Sequence, residues 1–176
     1  HVRALPWGDG DPQPSRERWF YYNIGKSLLA PSQFNMLDPV QELINKCRSS
    51  GKKEDMDLAK QLYPRMRAYI PVVVRGRESE GVFLFGMGKT VYRRLLEFFV
   101  DADIGDVTDI AEGYDLKITV SKPQGKDFAD TTIDPARKAT KAGSDKEVKE
   151  WLSNIPKLDD IYVLKTPEEI RASLEM

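Results

Sequence analysis

The sequence predicts a mainly β fold with flanking helices, an α+β class. Short β-branched and aromatic runs fill the middle of the chain. Helical periodicity with cap residues lies to either side of them, and no internal repeat or low-complexity tract interrupts that order. A length of 176 residues, with 40% apolar and 31% charged, suits one sizeable core with small appendages and a well-solvated surface.

Taken in order, Val2-Arg3-Ala4-Leu5-Pro6 reads as a short strand stopped by proline. Gly8 to Pro14 holds two glycines, two prolines and two aspartates, and is a loop. Trp19 to Ile24 is a dense aromatic run ended by Gly25, hence a strand. Asp38-Pro39 opens a helix with a carboxylate cap and proline at the first helical position. Val40, Leu43, Ile44 and Cys47 fall on one face of it, and Gly51 closes it. A charged second helix over Asp55–Tyr63 turns Leu58, Ala59 and Leu62 inward and stops at Pro64.

Tyr69 to Val74 and Val82 to Phe85 are paired strands joined by the polar Gly76–Glu80 connection. From Thr90 to Val100 the period becomes helical, with Val91, Leu95 and Phe98 on one face. Tyr114 to Lys122 alternates, Leu116, Ile118 and Val120 on one side and Lys117, Thr119 and Ser121 on the other, as a half-buried strand does. Pro123 to Gly143 is polar and aperiodic, which predicts an extended surface arm. Capping boxes at Ser144–Glu147 and Thr166–Glu169 predict two C-terminal helices.

Several chemistries are excluded by counting. His1 is the only histidine and Cys47 the only cysteine, so disulfides, Cys-rich zinc sites and His-based nucleophilic or acid–base catalysis lack their residues. The chain is therefore expected to be no enzyme and to need no metal and no cofactor. No run of eighteen apolar residues is present to span a membrane, and the first residues carry no signal pattern. A lone thiol suits a reducing cytoplasm. Beginning on His1 rather than methionine, the chain is expected to be a trimmed core.

Val82 to Thr90 imitates a phosphate-binding loop, with Gly86, Gly88, Lys89 and Thr90. The full motif needs a glycine where Phe83 stands, so the remaining loop is too short to wrap a β-phosphate. Asp159-Asp160 puts its acids at the wrong end of Ile161–Leu164, read as a strand, to hold magnesium. An NTPase is the least favoured reading.

Net charge is −1, but its distribution is uneven. Residues 1–100 hold sixteen Lys/Arg against eleven Asp/Glu, whereas 101–141 and 142–176 each carry −3. A basic front half can present a local positive surface despite the near-neutral total. Unpaired nucleic-acid strands need cations for phosphates and ring faces for bases. Arg65, Arg67, Tyr69, Arg75 and Arg77 supply both beside one strand, and Phe85, Lys89, Tyr92, Arg93 and Arg94 supply both after its partner. Lys117 and Lys122 flank the polar face of the third strand, with Lys126, Phe128, Arg137 and Lys138 on the arm. Two readings stay open on these residues alone. The rings are either core packing or platforms, and the cations either a solvated surface or a phosphate track.

Seven segments in order resemble the single-stranded DNA-binding, helix-destabilising proteins of T-even-type phages, and particularly their marine-phage branch. They are Val2–Pro6, Arg18–Tyr22, Asp38–Lys46, Tyr69–Arg75 with Gly81–Leu95, Asp106–Thr108, Gly113–Leu116 and Gly125–Phe128, spanning residues 2–141. The resemblance implies an OB-like five-stranded barrel over residues 1–141, with a helical insertion at about 34–64 and a helical extension over 142–176. It implies a basic, aromatic-lined cleft in which Phe85 and Phe128 contact bases while Arg65, Arg67 and Tyr69 line the wall. The candidate DNA-binding set is thus Arg65, Arg67, Tyr69, Arg75, Phe85, Lys89, Tyr92, Lys117, Lys122, Lys126, Phe128, Arg137 and Lys138.

Well-known members of that family carry a zinc site of one His and three Cys. Asp38 and Gln41 occupy two of its ligand positions here, so the resemblance implies a helix held by apolar packing without zinc. The family's basic N-terminal arm is also expected to be missing. Implied partners are single-stranded DNA, phage replication and recombination proteins, and further copies of the chain along DNA, with no membrane. The implied setting is the cytoplasm of an infected bacterium, in replication, recombination and repair. The competing expectation from another class is a non-catalytic interaction or virion-associated β module with no nucleic-acid ligand.

Overall fold

Local sequence chemistry and observed elements agree closely in the computed structural model, which describes residues 1–175. In chain order they are β1 (Val2–Ala4), β2 (Arg16–Tyr21), β3 (Leu28–Leu29), α1 (Pro39–Ser49), α2 (Lys53–Leu62), β4 (Arg65–Val74), β5 (Val82–Met87), α3 (Lys89–Val100), β6 (Asp115–Ser121), β7 (Asp130–Pro135), α4 (Asp145–Ser153) and α5 (Pro167–Glu175). The class is therefore mainly β with flanking helices, as expected. No described helix is long and apolar enough to cross a membrane. The chain divides into two units, His1–Arg16 with Ala68–Leu158, and Glu17–Arg67 with Asp159–Met176.

In the first unit the pairings run β5–β4–β1–β6–β7, all antiparallel, as an open path. The β4–β5 ladder sets Tyr69 opposite Gly86, Ile70 opposite Phe85 and Val72 opposite Phe83. One apolar cluster joins Leu5, Val73, Ala142, Val148 and Trp151, so α4 belongs to this unit. Its Ser144 cap is the expected capping box, with Glu147 reaching back to the Ser144 N–H.

A buried arginine ties the polar part of this unit together. Arg3 is fully buried and donates to the Asp109 carbonyl at 2.7 Å, to the Thr140 carbonyl at 2.8 Å and to the Thr140 hydroxyl at 3.0 Å. Burial lowers its pKa, and Asp115, 3.5 Å away, works against that shift. Gly113 makes room for it, since a Cβ there would stand 2.7 Å from the guanidinium and 2.4 Å from the Asp109 carbonyl. No other residue fits that position.

The second unit is a small helical body on the β2–β3 hairpin. Tyr21, Leu28, Ala30, Val40, Ile44, Cys47, Ala59, Leu62 and Ile170 form its core. The apolar stripe read from α1 is thus the stripe it buries, and α2 helps fill the same body. Asp38 caps α1 with one oxygen, accepting from the Val40 and Gln41 N–H groups, both at 3.1 Å. Its other oxygen accepts from the Tyr21 hydroxyl at 2.8 Å and the Ser32 N–H at 3.1 Å. Ile170 brings α5 into this core, so residues 142–176 are shared between the two units.

Three local expectations need correction. The arm expected over 123–143 contains β7, paired with β6 over six residues. Its sequence Asp130-Thr-Thr-Ile-Asp-Pro135 has one buried apolar residue, Ile133, and so shows no alternation to read. The aromatic strand starts earlier and ends at Tyr21, because Asn23 and Gly25 already turn the chain toward β3. Ile161–Leu164 is irregular chain after a 3-10 turn at Leu158–Asp160, and no strand forms there.

Candidate nucleic-acid interface

Eleven of the thirteen predicted contact residues belong to the first unit; Arg65 and Arg67 belong to the second. Arg65 is exposed and Arg67 half-buried. Within the first unit, α3 packs on both β5 and β7, so β5, α3 and the β6–β7 hairpin form a continuous surface.

The hairpin projects from the body. Along its apolar face Leu116 is buried, Ile118 half-buried and Val120 65% exposed, so contact with the core fades outward. Its outer end carries Lys122, Lys126 and Phe128, whose ring is 84% exposed. An aromatic ring so open has no packing role and is free to stack on a base. Lys126 is bridged to Asp130 at 3.0 Å. Lys117 stands across the ladder from Asp134, on the polar face that the sequence alternation assigned to it.

Lys89 begins α3 and is exposed, as is Arg93. Gly88 caps the helix in extended backbone with no side-chain cap. The Gly86–Thr90 segment is therefore the end of a strand running straight into a helix, not a wrapped loop. The Tyr92 hydroxyl accepts from Ser15 at 2.8 Å, which fixes its half-buried ring. Arg94 is drawn away from this role: it bonds Glu97 at 2.9 Å, lies 3.7 Å from Asp134 and sits over the Phe98 ring. Its bond to Glu97 raises its pKa. Arg137 and Lys138, after β7, are exposed.

Two expectations change here. Arg75 donates to Asp115 and, at 2.7 Å, to the Ala142 carbonyl, with Asp115 and Glu78 as ion-pair partners. It is an internal cross-link beside Arg3, not an open phosphate contact. Tyr69 and Phe85 do not share a face of the ladder, because Phe85 pairs with Ile70 and Tyr69 with Gly86. Both rings are half-buried. Phe85 shares its face with Phe83, which is 41% exposed and was not singled out from the sequence. Strand alternation alone places Phe83 on the same side as Phe85, where both could be core; in the structure neither is enclosed.

What remains is a surface with one open ring, Phe128, the partly open rings of Phe83, Phe85 and Tyr92, and six exposed cations. Lys89, Arg93, Lys117, Lys122, Arg137 and Lys138 are in no ion pair among the described residues. The acids of the hairpin, Asp127, Asp130 and Asp134, offset its own lysines, so the positive excess lies around α3 and the 137–138 pair.

A family model described as gp32 DNA binding protein like matches residues 14–171, the greater part of both units. The chain belongs to that family. No curated protein matches the chain. In this gp32-like chain the Asp38 position is filled by a helix cap whose two oxygens together accept four hydrogen bonds. Gln41 donates to the Asn45 side chain at 3.0 Å. Among the described residues no cluster of three or more His, Cys, Asp or Glu side chains could hold a metal ion.

Proposed function

We propose that this gp32-like protein binds single-stranded DNA without choosing its base sequence, by stacking bases on open rings and neutralising phosphates, and that it catalyses no reaction. The observation that carries the reading is the Phe128 ring, 84% exposed at the end of a hairpin whose strand β7 packs on the cation-bearing helix α3. A strand laid across α3 and the hairpin meets Lys89, Arg93, Lys117 and Lys122 along its phosphates and Phe128 against a base. The half-buried rings of Phe85 and Tyr92 stand as secondary contacts, and Lys126, Arg137 and Lys138 extend the phosphate track. We read the sheet with α3 as an OB-type scaffold, in keeping with the family. The role that follows is coating and protecting single strands during phage replication, recombination and repair, in the cytoplasm of an infected bacterium. Replication and recombination proteins and further copies of the chain on the same strand are its expected partners there.

A titration of fluorescein-labelled oligo(dT) tests this. Six unpaired cations at about 0.7 released counterions each predict a log–log salt slope of about −4. A duplex of equal length should bind far more weakly. Absent binding at low salt, or equal binding of duplex and single strand, would leave the interaction-module reading in its place.

A further inference from the structure

Apart from the DNA surface, the second unit holds a cavity of about 770 Å³ between three helices and the loop after β2. Its walls are Leu43 of α1, Leu58 and Leu62 of α2, Leu174 of α5, and Leu28 with Ile24 from the hairpin. Each helix contributes a residue beside its buried stripe. Leu43 precedes buried Ile44, Leu58 precedes buried Ala59, and Leu174 lies one turn beyond buried Ile170. Leu58 remains 40% exposed. Three helices thus bury one face against each other and leave a shared apolar groove, the shape into which an amphipathic helix lays its apolar side.

The rim settles the charge of the occupant. Among the described residues lining the groove, Lys26 and Lys165 alone are charged, and neither is in an ion pair with another described residue. Of the remaining polar lining, Asn23 donates to the Gln61 carbonyl and the Ser173 hydroxyl to the Glu169 carbonyl, so both are already engaged. None of the described residues lining the groove is aromatic, so they offer a base nothing to stack on. We propose that this groove is a docking site for an acidic amphipathic helix of a partner protein. Two or three aliphatic side chains at helical spacing enter between Leu43, Leu58 and Leu174, and flanking carboxylates pair with Lys26 and Lys165. The proposal is independent of the DNA surface, since none of its residues belongs to the candidate DNA contacts.

The probe is a fluorescein-labelled fifteen-residue peptide with Leu at positions i, i+3 and i+7 of a Glu-rich helix, titrated by anisotropy against the full chain. Its Lys-rich counterpart is the control. The acidic peptide should bind at least tenfold more tightly than the basic one, and less tightly as salt is added. Leu58→Lys should abolish that binding. The double reversal Lys26→Glu with Lys165→Glu should exchange the preference in favour of the basic peptide. Oligo(dT) affinity and the circular dichroism melt should stay unchanged in both variants, which separates a lost groove from a lost fold or a failed DNA assignment. Equal binding of the two peptides, an unchanged preference after charge reversal, or binding of palmitate that the acidic peptide does not displace would overturn the proposal.

Discussion

Replacing Phe128 and Phe85 by alanine, one at a time, separates stacking from packing. Phe128 is 84% exposed on the hairpin, so its loss removes almost no folded contact and should change stability by less than about 0.5 kcal/mol. If it stacks on a base, binding loses roughly 1–3 kcal/mol, which at about 1.4 kcal/mol per tenfold is about five- to 150-fold in affinity. Phe85 is half-buried and lies opposite fully buried Ile70. Truncating a wholly buried Phe costs about 3–5 kcal/mol, so about half of that, ~2 kcal/mol, is expected from the fold alone. Urea unfolding reads the first quantity and oligo(dT) anisotropy, at a denaturant-free concentration where both variants are folded, reads the second. The expected pattern is a Phe128→Ala protein that is stable but binds weakly, and a Phe85→Ala protein weakened in both respects. Wild-type affinity in folded Phe128→Ala would refute the stacking argument.

Other outcomes follow from the same geometry. Lys89→Ala and Lys122→Ala should each flatten the salt slope of binding by about 0.7, the single-strand value per phosphate contact. Arg75→Ala should leave that slope alone and instead lower stability by about 2–3 kcal/mol, because it frees Asp115 and the Ala142 carbonyl. Asp38→Ala should destabilise the protein by about 2–4 kcal/mol in urea titrations, about 1 from the lost cap and the rest from stranding the buried Tyr21 hydroxyl. Burial, and then the bond to Asp38, raise the Tyr21 pKa above its ordinary value of 10.0. The folded protein therefore holds a proton that the unfolded chain releases above about pH 10, so stability should fall as pH rises beyond that point, and less steeply in Tyr21→Phe.

The parts of the fold that could be read from sequence are those set by neighbours along the chain. Asp38-Pro39 announces α1 because cap and first turn are adjacent, and Ser144 with Glu147 announces α4 for the same reason. β7 was invisible because its backbone is satisfied by β6, a partner outside the segment, while its own residues are polar apart from Ile133. The candidate site divides along the same line. Phe128, Lys89 and Lys122 stand open as their local sequence suggested. Arg75 looks identical to them until Asp115, forty residues away, is folded beside it. Whether Tyr69 and Phe85 share a face depends on the register between β4 and β5, which pairs 70 with 85 and which no local pattern specifies.

The most direct measurement is photo-crosslinking of an oligo(dT) carrying 5-bromodeoxyuridine, followed by mass spectrometry of the crosslinked peptides. The crosslinks should concentrate on Phe128, with weaker ones at Tyr92 and Phe85. Bound DNA whose crosslinks fall only within residues 17–62 or 159–175 would contradict the placement of the strand on α3 and the hairpin.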